Sequence, residues 1–513
     1  VSKRSLWCAL LAALALLPVT APAGRAAPRR IEWGSCPAGV LAPVPAAERA
    51  RLRCGSFRVP IDHDRPELGG IDIALMKRLA DHPRDRIGTL FTNPGGPGNS
   101  GFTATTEAYK KYRKPVLDRF DVLGFDPRGV GRSAPLRCFR TAEDKERVLR
   151  DFVSSPVTGA QIRADLTARR DYARSCRRNA GPLLYHMSTK DTVRDLDLLR
   201  AAVGDTKLDF VGYSYGTLIG ASYAAMYPDR TRAIVLDGNV DPLLRTGNGV
   251  EHEREHGLGF EDALRAVLAR CAASGPRCAF SSGDPAAKFA EIRDRLRRHD
   301  LPMPDGSVET LSGFTDRVAQ AMWDQKSFPG LMTDLRAIYS ALNGTAVPHG
   351  GKTGRAGNTV PRKPYTGDDS YFGVNCSDKP FPATNDYVPE VARRWEPEQP
   401  TFARWQAFND AAQCPVWPGA RTADRYSGPW HNFGAHPVLT FGNYFDPATP
   451  YAFAQRTTRL LGKARLVSVN AYGHTILGGH SRCADRIASD YLVHLRVPPR
   501  GTVCTADRQP FDP

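Results

Sequence analysis

Three side chains of this sequence could together move a proton and attack a carbonyl: Ser214, Asp446 and His474. Ser214 stands in Gly212-Tyr213-Ser214-Tyr215-Gly216, between an apolar run at 208–211 and a helix-like run at 217–226. That context predicts a sharp strand-to-helix turn that exposes the serine hydroxyl, with glycines letting strand and helix approach closely. A serine alone is a weak nucleophile, so it needs a base and a group that orients the base. Asp446 follows the apolar run at 438–441 in Gly442-Asn443-Tyr444-Phe445-Asp446-Pro447, and His474 follows the run at 466–469 in Tyr472-Gly473-His474-Thr475. Isolated Asp-Pro and Gly-His pairs are usually turns; a nucleophile, an acid and a histidine in this order at successive strand ends point to hydrolysis. His474 is expected to take the Ser214 proton and return it to the leaving group, while Asp446 fixes the imidazole tautomer.

An acyl-transfer site also needs donors aimed at the oxyanion. The Tyr215 main-chain N–H is one candidate, and Asn93-Pro94-Gly95-Gly96-Pro97-Gly98, just after the run at 88–91, supplies the other. Gly96 is the expected donor and Gly95 the alternative. Asp126-Pro127-Arg128-Gly129-Val130-Gly131-Arg132-Ser133 reads as a loop bracing the site.

The elements that must position these residues recur as short apolar runs at 71–76, 88–91, 120–125, 208–211, 233–236, 438–441 and 466–469, with helix-like stretches between most of them. In 189–203, for instance, Val193, Leu196, Leu198, Leu199 and Val203 are placed so that most share one face, as in an amphipathic helix over a sheet. The alternation predicts an α/β fold with a mostly parallel sheet. It stops after Asp237 and resumes near Pro437, so residues 243–436 are expected to form an inserted, mainly helical cap over the carboxyl ends of the strands, where such sheets bind ligands. The core is expected at 28–242 and 437–513.

Residues 1–27 have a basic start (Lys3, Arg4), an apolar stretch at 6–19 and small residues after it, the pattern of a secretory leader. The stretch is shorter than the roughly 20 residues a membrane span needs. Without residues 1–27 the net charge falls from +16 to +13. That field favours loose association with anionic wall polymers; no dense basic block with interleaved aromatics argues for nucleic acid. Ten cysteines follow residue 27, an even number that fits five disulfides in a secreted chain. Sequence does not fix connectivity in general, but neighbour pairing (Cys36 with Cys54, Cys138 with Cys176, Cys271 with Cys278, Cys376 with Cys414, Cys483 with Cys504) would staple local loops.

On these motifs the chain resembles the secreted tripeptidyl aminopeptidases of actinomycetes, relatives of proline iminopeptidase within the α/β-hydrolase fold. The likeness rests on residues 93–98, 126–133 and 212–217, on Asp446-Pro447-Ala448-Thr449-Pro450 and on Gly473-His474. It implies a serine exopeptidase releasing short peptides, tripeptides by the family pattern, from free N-termini through an acyl-enzyme, with no cofactor. The family continues the oxyanion loop with Gly where this chain has Asn99. An exopeptidase must meet the substrate ammonium with a carboxylate, and Asp378 is the expected anchor, with Glu251, Glu253 and Glu255 as further candidates. Two other chemistries remain open. The same triad would serve an extracellular carboxylesterase or lipase, since fold does not decide substrate. His252-Glu253-Arg254-Glu255-His256 matches a zinc-protease helix motif, although a helix with Phe260, Leu264, Val267 and Leu268 packed into the cap explains the segment without metal.

Overall fold

The computed structural model describes residues 31–344, 364–421 and 424–513; the expected leader lies outside them. The strands are β1 (Leu52–Pro60), β2 (Gly70–Arg78), β3 (Gly88–Asn93), β4 (Phe120–Phe125), β5 (Leu208–Tyr213), β6 (Thr231–Asp237), a small cap hairpin of β7 (Leu301–Pro302) and β8 (Val308–Glu309), then β9 (Val438–Phe445), β10 (Ala464–Tyr472) and β11 (Val503–Thr505). Nine of them form one sheet in the order β1-β2-β4-β3-β5-β6-β9-β10-β11. The β1–β2 and β2–β4 pairs are antiparallel and the rest parallel.

The parallel strands are continuous apolar runs because both of their faces are covered. Phe91 and Phe210 point to the face covered by Leu196, Leu199, Leu218 and Ile219, while their neighbours Leu90 and Val211 point to the opposite face, under Tyr491 and Leu492. The helix Gly216–Met226, directly behind the serine, is buried from Gly216 through Ala224. It is apolar all round, as a helix enclosed on every side must be.

The register sets the site. Asn93 pairs with Gly212, Tyr213 with Asp237, Asp237 with Phe441, and Phe445 with Tyr472. The oxyanion loop, the serine turn, the acid loop and the histidine loop therefore leave one carboxyl edge of the sheet side by side.

Between β6 and β9 the chain leaves the sheet and forms helices including Gly249–Ser274, Pro285–Arg298, Leu311–Met322 and Phe328–Leu342. Phe260, Leu264, Phe289, Phe314, Phe328 and Phe402 build a separate apolar core there. All five neighbour disulfides are present. Among the described residues no helix is long and apolar enough to cross a membrane.

Candidate active site

Ser214 sits at φ 54°, a left-handed conformation that a residue bearing a Cβ adopts only under constraint. Here its N–H donates to Asp237 O (2.9 Å), and its carbonyl accepts from Thr217 N (2.8 Å) and Thr217 Oγ1 (2.6 Å). The turn also needs bare glycine beside it: a Cβ on Gly95 would lie 2.8 Å from Ser214 Cβ and 3.2 Å from Tyr215 N. The Gly95 N–H donates to Asn93 Oδ1 (3.0 Å), whereas the Gly96 N–H has no protein acceptor among the described residues. Of the two expected donors in this loop, Gly96 is the one whose N–H is left free.

Asp446 is buried and accepts from five donors, the longest bond being from the Thr475 N–H to Oδ2 (3.4 Å). Oδ1 takes the N–H groups of Ala448 (3.0 Å) and Thr449 (2.9 Å), and Oδ2 takes Thr449 Oγ1 (2.9 Å). His474 Nδ1 lies 2.9 Å from Oδ1 and 3.0 Å from Oδ2. An ionised carboxylate only accepts, so Nδ1 carries the hydrogen and Nε2 is left as the basic nitrogen. Nε2 is buried and meets no hydrogen-bond partner among the described residues. The ring is held from both parts of the molecule. Asn443 Nδ2 donates to Gly473 O and Thr475 O (3.0 Å each), and the cap supplies Trp323, whose carbonyl accepts the His474 N–H (2.9 Å) and whose ring meets the imidazole edge-on at 4.9 Å. On the nucleophile side, a Cβ on Gly238 would lie 3.1 Å from His474 Cε1; Gly238 directly follows the residue that binds the Ser214 amide.

The structure corrects the expected amine anchors. Asp378 is 1% exposed, and Thr189 takes both its oxygens, N–H to Oδ1 (2.9 Å) and Oγ1 to Oδ2 (2.6 Å). Thr189 Oγ1 in turn accepts from the Tyr215 hydroxyl (2.6 Å), so Asp378 braces the serine turn from below. Burial raises its carboxyl pKa, and Arg245 opposes the shift. Glu251 is spent on Arg254 three residues on, which reaches Oε1 and Oε2 at 2.6–3.0 Å. That i,i+3 spacing was visible in the sequence. Glu255 pairs with Arg456 (2.5 Å).

The zinc-like motif is likewise built into the fold. Glu253 Oε1 accepts from Lys379 Nζ (2.6 Å) and lies 3.0 Å from His252 Nδ1, and Lys379 also reaches Asp410 (2.5 Å). Burial, then the Lys379 ammonium, push the His252 imidazole down to about 3. The glutamate that such a motif needs as its general base is therefore paired with an ammonium. Among the described residues there is no group of three His, Cys, Asp or Glu side chains able to hold a metal ion.

A cavity of about 730 Å³ opens between core and cap, walled by Tyr371, Phe372, Trp405, Phe408, Asn409 and Asp316 among others. Its Tyr371 wall meets the oxyanion loop, since a Cβ on Gly98 would lie 3.5 Å from Tyr371 N. Its Trp405 wall reaches His474 through successive ring contacts with Phe260 and Trp323. The lining carries four carboxylates, at 300, 316, 368 and 369, against two basic groups, Lys145 and Arg169. Arg169 is already paired with Asp165 (2.7 Å), so the cavity favours a cationic guest.

Residues 88–268, which hold Gly96 and Ser214, match the family described as alpha/beta hydrolase fold. Residues 399–504, which hold Asp446 and His474, match the family described as TAP-like protein. The serine protease Hip1 of Mycobacterium tuberculosis is 31% identical over 469 residues, 88% of this chain and 87% of its own length. A tripeptidyl aminopeptidase of Streptomyces lividans is 30% identical over 501 residues, 95% of this chain and 89% of its own. Carboxylesterase B of M. tuberculosis is 29% identical over 500 residues, 95% and 91% of the two chains.

Proposed function

Since the chain belongs to the α/β-hydrolase family that includes these actinomycete serine-protease and tripeptidyl-aminopeptidase relatives, we propose that this serine hydrolase is a secreted exopeptidase releasing short peptides, tripeptides by analogy, from free N-termini. The observation that carries the reading is an acid-rich cavity whose Tyr371 wall abuts the oxyanion loop, together with a hydrogen-bonded Asp446–His474 pair and a strained Ser214. His474 Nε2 takes the Ser214 proton as Oγ attacks the peptide carbonyl. The tetrahedral oxyanion is held by the Gly96 and Tyr215 N–H groups. His474 then protonates the departing amine, and water hydrolyses the acyl-enzyme by the same steps in reverse order of proton transfer. The cavity's aromatic wall of Tyr371, Phe372, Trp405 and Phe408 limits how much chain extends on the amino side of the scissile bond, and its carboxylates, Asp316 foremost, meet the ammonium. Asp316 is oriented by Trp405 Nε1 and Ser154 Oγ, both at 2.9 Å. The five disulfides suit an oxidising, extracellular setting.

The test is mass spectrometry of products from one free peptide and its N-acetylated twin, with Ser214→Ala as control. Serial loss of short N-terminal fragments from the free peptide alone is expected and gives the step size directly; Asp316→Asn should narrow the preference for the free form about tenfold, the weight of one charge-assisted hydrogen bond. The likeness to carboxylesterase B favours a second reading, an esterase with the same triad. Ser214-dependent cleavage of acyl esters with both peptides left intact would establish it instead.

A further inference from the structure

Asp237 ends β6 and is fully buried, yet it belongs to none of the three catalytic roles. Its Oδ2 accepts the N–H groups of Ile476 (2.9 Å) and Leu477 (2.8 Å), the second and third residues after His474. Its main-chain carbonyl accepts the N–H of Ser214 (2.9 Å). Its Oδ1 has no partner among the described residues. A carboxylate buried with one oxygen idle is an expensive way to fill space, since an apolar side chain of the same size would carry no desolvation cost.

The loop after His474 explains why such a group is there. Residues 475–481 form no strand or helix before the helix Arg482–His494 begins, and Thr475, Gly478 and Gly479 all have positive φ. Their amides have no ladder to join, and a buried amide must find an acceptor elsewhere. Three carboxylates share the work: Asp446 takes Thr475 (3.4 Å), Asp237 takes Ile476 and Leu477, and Asp485 takes Gly478 and Gly479 (2.9 Å each) at the far end. Because its other arm holds Ser214, Asp237 ties nucleophile and base to the same strand end.

We propose that Asp237 is a positioning residue, whose carboxylate aims His474 Nε2 by holding the 476–477 main chain while its carbonyl holds the nucleophile's amide. The groups facing it are consistent with a carboxylate retained for function. Lys111 approaches from the helix Ala108–Lys111, its Nζ 3.4 Å from the Tyr213 ring centre, and burial lowers its pKa to about 8 against the pull of Asp237. His474 stabilises the Asp237 anion, Asp446 opposes it, and burial outweighs the two amide bonds to push the carboxyl up to about 6.

The inference rests on the triad reading, and one experiment separates their failures: the rate of labelling of Ser214 by a fluorophosphonate, measured beside kcat and KM on whichever substrate the enzyme turns over. In Asp237→Ala both labelling and kcat should fall about a hundredfold, the scale of an ångström-sized misplacement of a catalytic group, with KM little changed. Asp237→Asn, whose side-chain carbonyl accepts the same two amides, should recover most of the loss. If the alanine variant does not fold, Asp237→Ser, too short to reach both amides, takes its place with the same expected loss. A folded Asp237→Ala that labels and turns over like the wild type overturns the inference, as does an asparagine variant no better than alanine. A wild-type enzyme that is not labelled at Ser214 overturns the triad reading itself.

Discussion

The carboxyl edge of the sheet and the interior of the cap both bury carboxylates, but they satisfy them differently. At the sheet edge Asp446 and Asp237 accept main-chain amides, a threonine hydroxyl and an imidazole, and among the described residues no lysine or arginine hydrogen-bonds to either. In the cap Glu253 and Asp410 are clamped to one lysine, Lys379, which is 3% exposed. A carboxylate held by amides keeps its charge available to a neighbouring imidazole. One neutralised by an ammonium has little left to offer a substrate. The acids that can act therefore lie at the strand ends and along the cavity wall, while the acids inside the cap hold it together.

The contrast can be broken most sharply at Asp446. Asp446→Asn should cut kcat about 10⁴-fold, because an amide no longer fixes the Nδ1–H tautomer, while the unfolding midpoint stays near that of the wild type; steady-state kinetics with a denaturant titration reads both. The cap should behave the opposite way. Lys379→Met leaves Glu253 and Asp410 buried without their cation and should cost about 3–5 kcal/mol of stability in urea unfolding, with kcat of the folded fraction nearly unchanged. A large kcat loss at constant stability would mean the cap cluster is part of the chemistry after all.

A smaller effect separates charge from geometry at Asp237. Burial raises this carboxyl from 3.8 to about 6. Its contribution to stability is thus fully present below pH 3.8 and is lost as the pH rises through about 6. Asp237→Asn has no such loss, so it should gain on the wild type between about pH 4 and 6 and hold a lead on the order of 3 kcal/mol above that. Parallel pH profiles of unfolding free energy would show that the carboxylate is not desolvated as the fold implies.

Much of the architecture was legible because buried parallel strands leave unbroken apolar runs, as at 120–125 and 208–211. β1 left none. It is an antiparallel edge strand in which only Leu52 and Val59 are buried and which carries Arg53 and Arg58, and β11 is only three residues long. Thr449 and Asp237 were passed over for a different reason. A threonine in a turn looks ordinary until the turn closes it onto Asp446 three residues back, and an aspartate at a strand end until the fold sets it beneath the loop that follows His474.

By itself the sequence determined which segments are apolar enough to be buried as strands, that Ser214, Asp446 and His474 each follow one, and which cysteines are neighbours in the chain. Those properties are local, written in side-chain polarity and in the turn residues that end each strand. Which carboxylates are free was decided only by the tertiary structure. Thr189 and Asp378 are 189 positions apart, and so are bound to one another only by folding. Glu253 and Lys379, separated by 126, are joined in the same way. The ionic state of an acid depends on what the fold places within hydrogen-bond reach of it and on how much water the fold removes, and neither is written in the residue or its neighbours.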